Sequence, residues 1–159
     1  GQRHSDLPRD SRGVSQRERL LEAMEQDLHQ DLDDYVYLRG LMQELRHGLM
    51  RCDTDGVHLL NERIQLLLGS AQDRAQRRVK VLKAVGLAFD EAGMQAFIAL
   101  YPTARGRDMQ ALWTQLGQIA QQCQRLNEVN GQLIASQHEI LCQLLEPQRG
   151  DGFYSPPAY

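Results

Sequence analysis

The chain is poor in the residues that build sheets and tight turns. Aromatics make up 6% of its 159 residues and prolines number 5, so neither a strand-rich core nor a loop-rich scaffold fits. No apolar run approaches the roughly 20 residues a membrane span needs, and no signal peptide is visible. The 5 histidines include no i, i+4 pair, and no glycine-rich phosphate loop occurs. Basic residues are outnumbered, 18 against 21, for a net charge of −3; that argues against a general nucleic-acid binder. The cysteines Cys52, Cys123 and Cys142 show no CxxC spacing. They read as reduced thiols of a cytoplasmic protein, not as a disulfide or zinc framework. What the chain does have is 24 leucines and 19 glutamines, with 42% hydrophobic and 25% charged residues. That composition predicts an all-α protein with a core.

Residues 1–14 are polar and carry Pro8; they read as a disordered or processing-derived N-terminus. From Ser15 to about Arg51 one stripe runs through Leu21, Met24, Leu28, Leu32, Tyr35, Leu38, Met42, Leu45 and Leu49. Its mean spacing is that of a coiled coil, and Ser15 with Glu18 makes a capping box. Asp53-Thr54-Asp55-Gly56 breaks the pattern and supplies N-caps for a second helix. That helix has the stripe Val57, Leu60, Ile64, Leu67, Ala71, Ala75, Val79 and Leu82, lean at its centre. Between Gly86 and Pro102 the aromatics gather in a short helix bounded by Gly93 and Pro102. A loop from Thr103 to Arg107 leads to Asp108, the cap of a third long helix through Leu112, Leu116, Ile119, Cys123, Leu126, Asn130, Leu133, Ile140 and Leu144, closed by Pro147. The expectation is an elongated antiparallel bundle of three long helices plus one short helix over residues 15–147, with coiled-coil-like packing. Residues 148–159 form a flexible tail.

Chemistry finds little purchase. Glu44 and His47 match half of a di-iron bundle motif, but no second copy exists and both flank the core position Leu45. Asp53, Asp55, Gly56 and Glu62 resemble part of a calcium loop, yet Arg51 stands where the first carboxylate belongs; helix capping accounts for the same residues. No metal or other cofactor is expected, and no nucleophile–base pair marks an enzyme. Arg74, Arg77, Arg78, Lys80 and Lys83 form a basic run on the second helix. They either pair with the acidic first helix or offer a patch to an acidic partner.

The stretch Asn127 to Gly131 is more telling. Asn-Gly normally marks a turn, but the apolar stripe keeps its phase across it, which predicts one continuous helix. Asn130 then falls on the seam, where a buried amide lowers stability and sets register or partner, and Gly131 lets a second backbone approach. The other reading makes both of them surface residues. Beyond it, Leu133, Ile134, Ile140, Leu141, Leu144 and Leu145 form a face wider than a two-helix contact needs; it either packs on the first helix or receives a partner helix. Phe153 and Tyr154 lie past the helix stop, in a segment too short to bury them.

These residues resemble a known family. Trp113, then Arg125-Leu126-Asn127 with Asn130-Gly131 and Leu133-Ile134, then Leu145-Glu146-Pro147, with Leu60-Asn61-Glu62-Arg63 and Arg77-Arg78 upstream, are similar to the flagellar export chaperones called FlgN. The resemblance implies a cytoplasmic, non-enzymatic chaperone of type III export. Its implied clients are the hook-associated (hook–filament junction) proteins, bound through Asn127, Asn130, Gly131, Leu133, Ile134, Ile140, Leu141 and Leu144. Phe153 and Tyr154 would dock on the cytoplasmic domain of the export gate. The alternative is a coiled-coil adaptor that self-associates.

Overall fold

The computed structural model describes the backbone of residues 3–135 and 142–144, with side chains for 15–134 and 142–144. Among these residues there is no strand. The helices are α1 (Arg3–Arg51), α2 (Thr54–Ala84), α3 (Glu91–Ile98) and α4 (Thr103–Ala135), and residues 142–144 are helical again. α1 packs against α2 and against α4, as the leucine spacing predicts for an all-α bundle.

Three expected boundaries move. α1 starts at Arg3, so residues 3–14 are helical and Ser15 lies inside the helix instead of capping it. Once a helix is nucleated, each added residue gains a hydrogen bond without a new nucleation cost; Pro8 forfeits only one bond near the helix start. α4 starts at Thr103, five residues before Asp108. The Pro102 carbonyl accepts the Gly106 N–H at 2.7 Å, and Arg105 in this first turn is held by Glu18 at 2.6 Å and Glu25 at 3.0 Å. Gly93 is not a boundary but part of the first turn of α3, where Asp90 caps its N–H at 2.8 Å. A Cβ at Gly93 would overlap the Ala88 carbonyl, which explains a glycine inside so short a helix.

α1 and α2 close in the same way. At the end of α2, Gly86 N–H donates to Lys83 and Leu87 N–H to Leu82; at the end of α1, Cys52 N–H donates to Leu49 and Asp53 N–H to Gly48. In this closure the residue past the cap turns left-handed. Gly86 does so at φ 75° and Cys52 at φ 58°. Asp53 then caps α2, accepting the Gly56 N–H at 3.1 Å, the capping use expected of these acidic residues.

The chain forms two compact units, each built from parts of α1, α2 and α4. The first comprises the residues up to Asp34 and Gly69–Gln118. Here α1 and α2 run antiparallel, as their ion pairs show: Arg77 with Asp27 at 2.9 Å, Arg74 with Asp31 and, at 2.7 Å, with Asp34. The buried positions Leu21, Met24, Leu28 and Asp31 follow a strict 3-4 alternation, so the seam passes through Asp31 where the sequence reading had Leu32. On α2 the seam takes Arg74 where the reading had Ala75. The basic run is therefore no solvated face at this point. Asp31 is 2% exposed and is met by both Arg74 and Arg78, which is the condition for burying a charge. Burial pulls the Arg74 pKa down, but the two carboxylates outweigh it and hold it above the ordinary arginine value. α3 completes this core with Phe97, and the buried Tyr101 hydroxyl donates to the Leu21 carbonyl at 2.6 Å.

The second unit comprises Tyr35–Leu68 and the chain from Ile119 on. In it α4 runs parallel to α1: the Cys123 thiol meets the Tyr35 carbonyl and the Asn130 amide meets that of Met42, both pairs 88 residues apart. Leu38, Met42, Leu45 and Leu49 of α1 and Ile119 and Cys123 of α4 are buried here.

Candidate functional site

The C-terminal part of α4 is one continuous helix through Asn127 to Gly131, as the preserved phase predicts. Ile119, Cys123, Leu126, Asn130 and Leu133 follow a 3-4 alternation, and two of them, Cys123 and Asn130, meet main-chain carbonyls of α1. Asn130, 3% exposed, donates from Nδ2 to the Met42 carbonyl at 3.0 Å. Its Oδ1 is buried without a hydrogen-bond partner. A helix carbonyl such as Met42 can accept this extra donor without giving up its place in the helix. Asn130 is thus a seam residue, the first of its two readings. Two turns earlier on α4, Gln122 accepts a hydrogen bond from the Arg39 guanidinium of α1 at 2.7 Å.

The other predicted residues separate by face. Asn127 is exposed and Leu133 half-buried. Gly131 is exposed, and a Cβ there would meet nothing within 4 Å, so among the described residues no backbone uses the close approach that a glycine permits. Ile134 and Leu144 are 54% and 58% exposed. Ile140, Leu141, Phe153 and Tyr154, together with the tail 148–159, lie outside the described residues. Glu44 and His47 are exposed on either side of buried Leu45. Among the described residues no group of three or more His, Cys, Asp or Glu is placed to hold a metal ion.

Two features escape the sequence reading. Cys52 and Cys142 are joined in a disulfide, their Cα atoms 5.3 Å apart, which corrects the expectation of three reduced thiols. The parallel α1–α4 register explains the pairing: the offset of 88 between Met42 and Asn130 nearly equals the 90 residues that separate Cys52 from Cys142. Cys123 remains free and buried; burial pushes its thiol pKa up, against a smaller opposing pull from Arg39. The second feature is apolar exposure. Of the nine large hydrophobic side chains exposed among the described residues, Phe89 alone belongs to the first unit; Val36, Tyr37, Met50, Leu59, Leu66, Leu68, Ile134 and Leu144 belong to the second. The seven-residue spacing of Leu59 and Leu66 was the available signal.

A family model described as FlgN protein matches residues 17–157. The chain belongs to the FlgN family. FlgN-family proteins are flagellar export chaperones that bind export substrates, and the family is not an enzymatic one. The match takes in α2, α3 and the whole of α4, and in α1 everything from Arg17 on. No curated protein and no solved structure matches the chain. None of the described helices of this FlgN-family chain is long and apolar enough to cross a membrane.

Proposed function

We propose that this FlgN-family chain acts in the cytoplasm, holding the terminal helical region of hook–filament junction proteins on its C-terminal helix. It keeps them from assembling early and hands them to the cytoplasmic domain of the export gate. The observation that carries this reading is the concentration of exposed apolar side chains in the unit that contains the end of α4. Exposed apolar surface is costly in water and marks contact sites for partners, and a helical client is met by apolar residues at helical spacing. Asn130 contributes selectivity rather than affinity, because a buried amide penalises wrong registers. Phe153 and Tyr154 are the gate contact in this reading, and release is driven by the export machinery.

The test uses residues whose loss leaves the core alone. Ile134→Ser with Leu144→Ser should change stability by less than about 0.5 kcal/mol, as exposed substitutions do, while weakening capture of a junction protein's terminal helices by more than about tenfold, the scale of an apolar contact pair. Unchanged affinity with an intact fold moves the site elsewhere. Tyr154→Ala should spare client capture and reduce gate docking. A second reading, self-association, is favoured by Leu59 and Leu66, which lie exposed seven residues apart on α2 with the spacing of a coiled-coil seam.

A further inference from the structure

The residue at the end of α1 is the wrong one for its backbone. Left-handed φ is readily adopted by glycine and disfavoured for residues with a Cβ. α2 places Gly86 there, whereas α1, with the same hydrogen-bond closure, places Cys52. An outlier of this kind persists where the side chain has a use. Here the side chain is bonded to Cys142 across 90 residues of sequence.

We infer that the Cys52–Cys142 disulfide is a redox latch on the helical residues 142–144. Closed, it ties them to the α1–α2 corner; opened, it releases them to receive a client helix. The client's identity rests on the function proposed above.

Three observations support a latch rather than a fixed staple. Both buried side-chain acceptors without a partner among the described residues, Asn130 Oδ1 and Gln143 Oε1, lie in the unit that holds the disulfide, Gln143 next to Cys142 itself. Buried acceptors are nearly always paired where packing alone decides the arrangement; these two are left for another arrangement to satisfy. Cys52 and Cys142 are only half-buried, within reach of a small thiol, while the third cysteine, Cys123, is buried against the Tyr35 carbonyl and stays out of the exchange. Disulfides in a reducing compartment are mostly transient and regulatory, and the proposed site of action is such a compartment.

The opening step is thiol–disulfide exchange with a dithiol reductant. Its thiolate attacks one sulfur of the pair, forming a mixed disulfide and expelling the other cysteine as a thiolate, which takes up a proton. The second thiol of the reductant, as its thiolate, then displaces the remaining cysteine, which is protonated in turn. Two electrons pass to the protein, and the reductant leaves as its own disulfide. A disulfide-form oxidant such as oxidised glutathione runs the sequence backwards.

The experiment compares the full chain oxidised with glutathione disulfide, the chain reduced with dithiothreitol, and the variants Cys52→Gly and Cys142→Ser. Glycine suits the left-handed position, so Cys52→Gly removes the latch without straining the corner. Amide exchange of residues 142–144 should quicken at least tenfold on reduction, and both variants should match the reduced chain whatever the redox state. Affinity for the terminal helical region of a junction protein should rise at least tenfold in step. Failure of glutathione disulfide to link Cys52 with Cys142, or equal exchange in the two states, overturns the latch. Faster exchange with equal affinity overturns its control of capture. Absence of binding in every form overturns the chaperone reading instead, and the exchange contrast then decides whether the tether opens.

Discussion

The Asn130 side chain donates to the Met42 main-chain carbonyl at 3.0 Å and leaves its own oxygen buried and unpaired. One amide thus fixes the register between α1 and α4 while lowering the stability of the seam that it fixes.

Replacing Asn130 with leucine should therefore stabilise the chain by about 1 kcal/mol, the size of an unpaired buried acceptor removed, and broaden its associations. Denaturant titration gives the first and sedimentation the second. A loss of stability above about 1 kcal/mol would mean that the amide holds the seam together.

The buried charges between α1 and α2 yield a contrast. Arg74→Ala strips Asp31 of one partner and leaves it with Arg78 alone; a loss of about 3 kcal/mol is expected for breaking a buried pair. Asp31→Leu together with Arg74→Leu should cost less than the single substitution, since two apolar side chains need no counter-charge. If the double variant is the weaker one, the ions do more than neutralise each other.

How much of this could be read beforehand follows from the same residues. Heptad spacing reveals the long helices, because Leu21, Met24 and Leu28, and again Leu38, Met42, Leu45 and Leu49, recur every three or four residues. It misplaced the seam at Leu32 and Ala75 because a hydrophobic pattern passes over a charge, and Asp31 and Arg74 are buried only by virtue of each other. Asn130 was legible because a polar residue interrupts an otherwise apolar phase. The disulfide was not, since it depends on α4 returning parallel to α1, a relation between helices that no local spacing encodes. The exposed faces of α2 were hidden for a similar reason: which of two leucine stripes is covered depends on where the neighbouring helix lies.

Tyr101 makes a pH test. Burial, reinforced by the nearby Glu25 carboxylate, pushes its phenol well above the ordinary value of 10.0. The unfolded chain therefore loses this proton first, so the contribution of Tyr101 is fully present below about pH 10 and declines as the pH rises beyond it. Tyr101→Phe gives up the bond to the Leu21 carbonyl and should cost about 1 kcal/mol at neutral pH. The gap to the natural chain should narrow between roughly pH 9 and pH 11, the range in which a free tyrosine titrates. A gap that stays constant over that range in denaturant titrations would show that the phenol ionises as freely in the folded state as in the unfolded one.

The most direct test of the chaperone account is light scattering after size-exclusion chromatography, on the reduced chain alone and then mixed with the terminal helical region of a hook–filament junction protein. The account predicts a distinct heteromeric peak that Ile134→Ser with Leu144→Ser diminishes. A stable homo-oligomer that ignores the added helices would contradict it and favour self-association through the exposed leucines of α2.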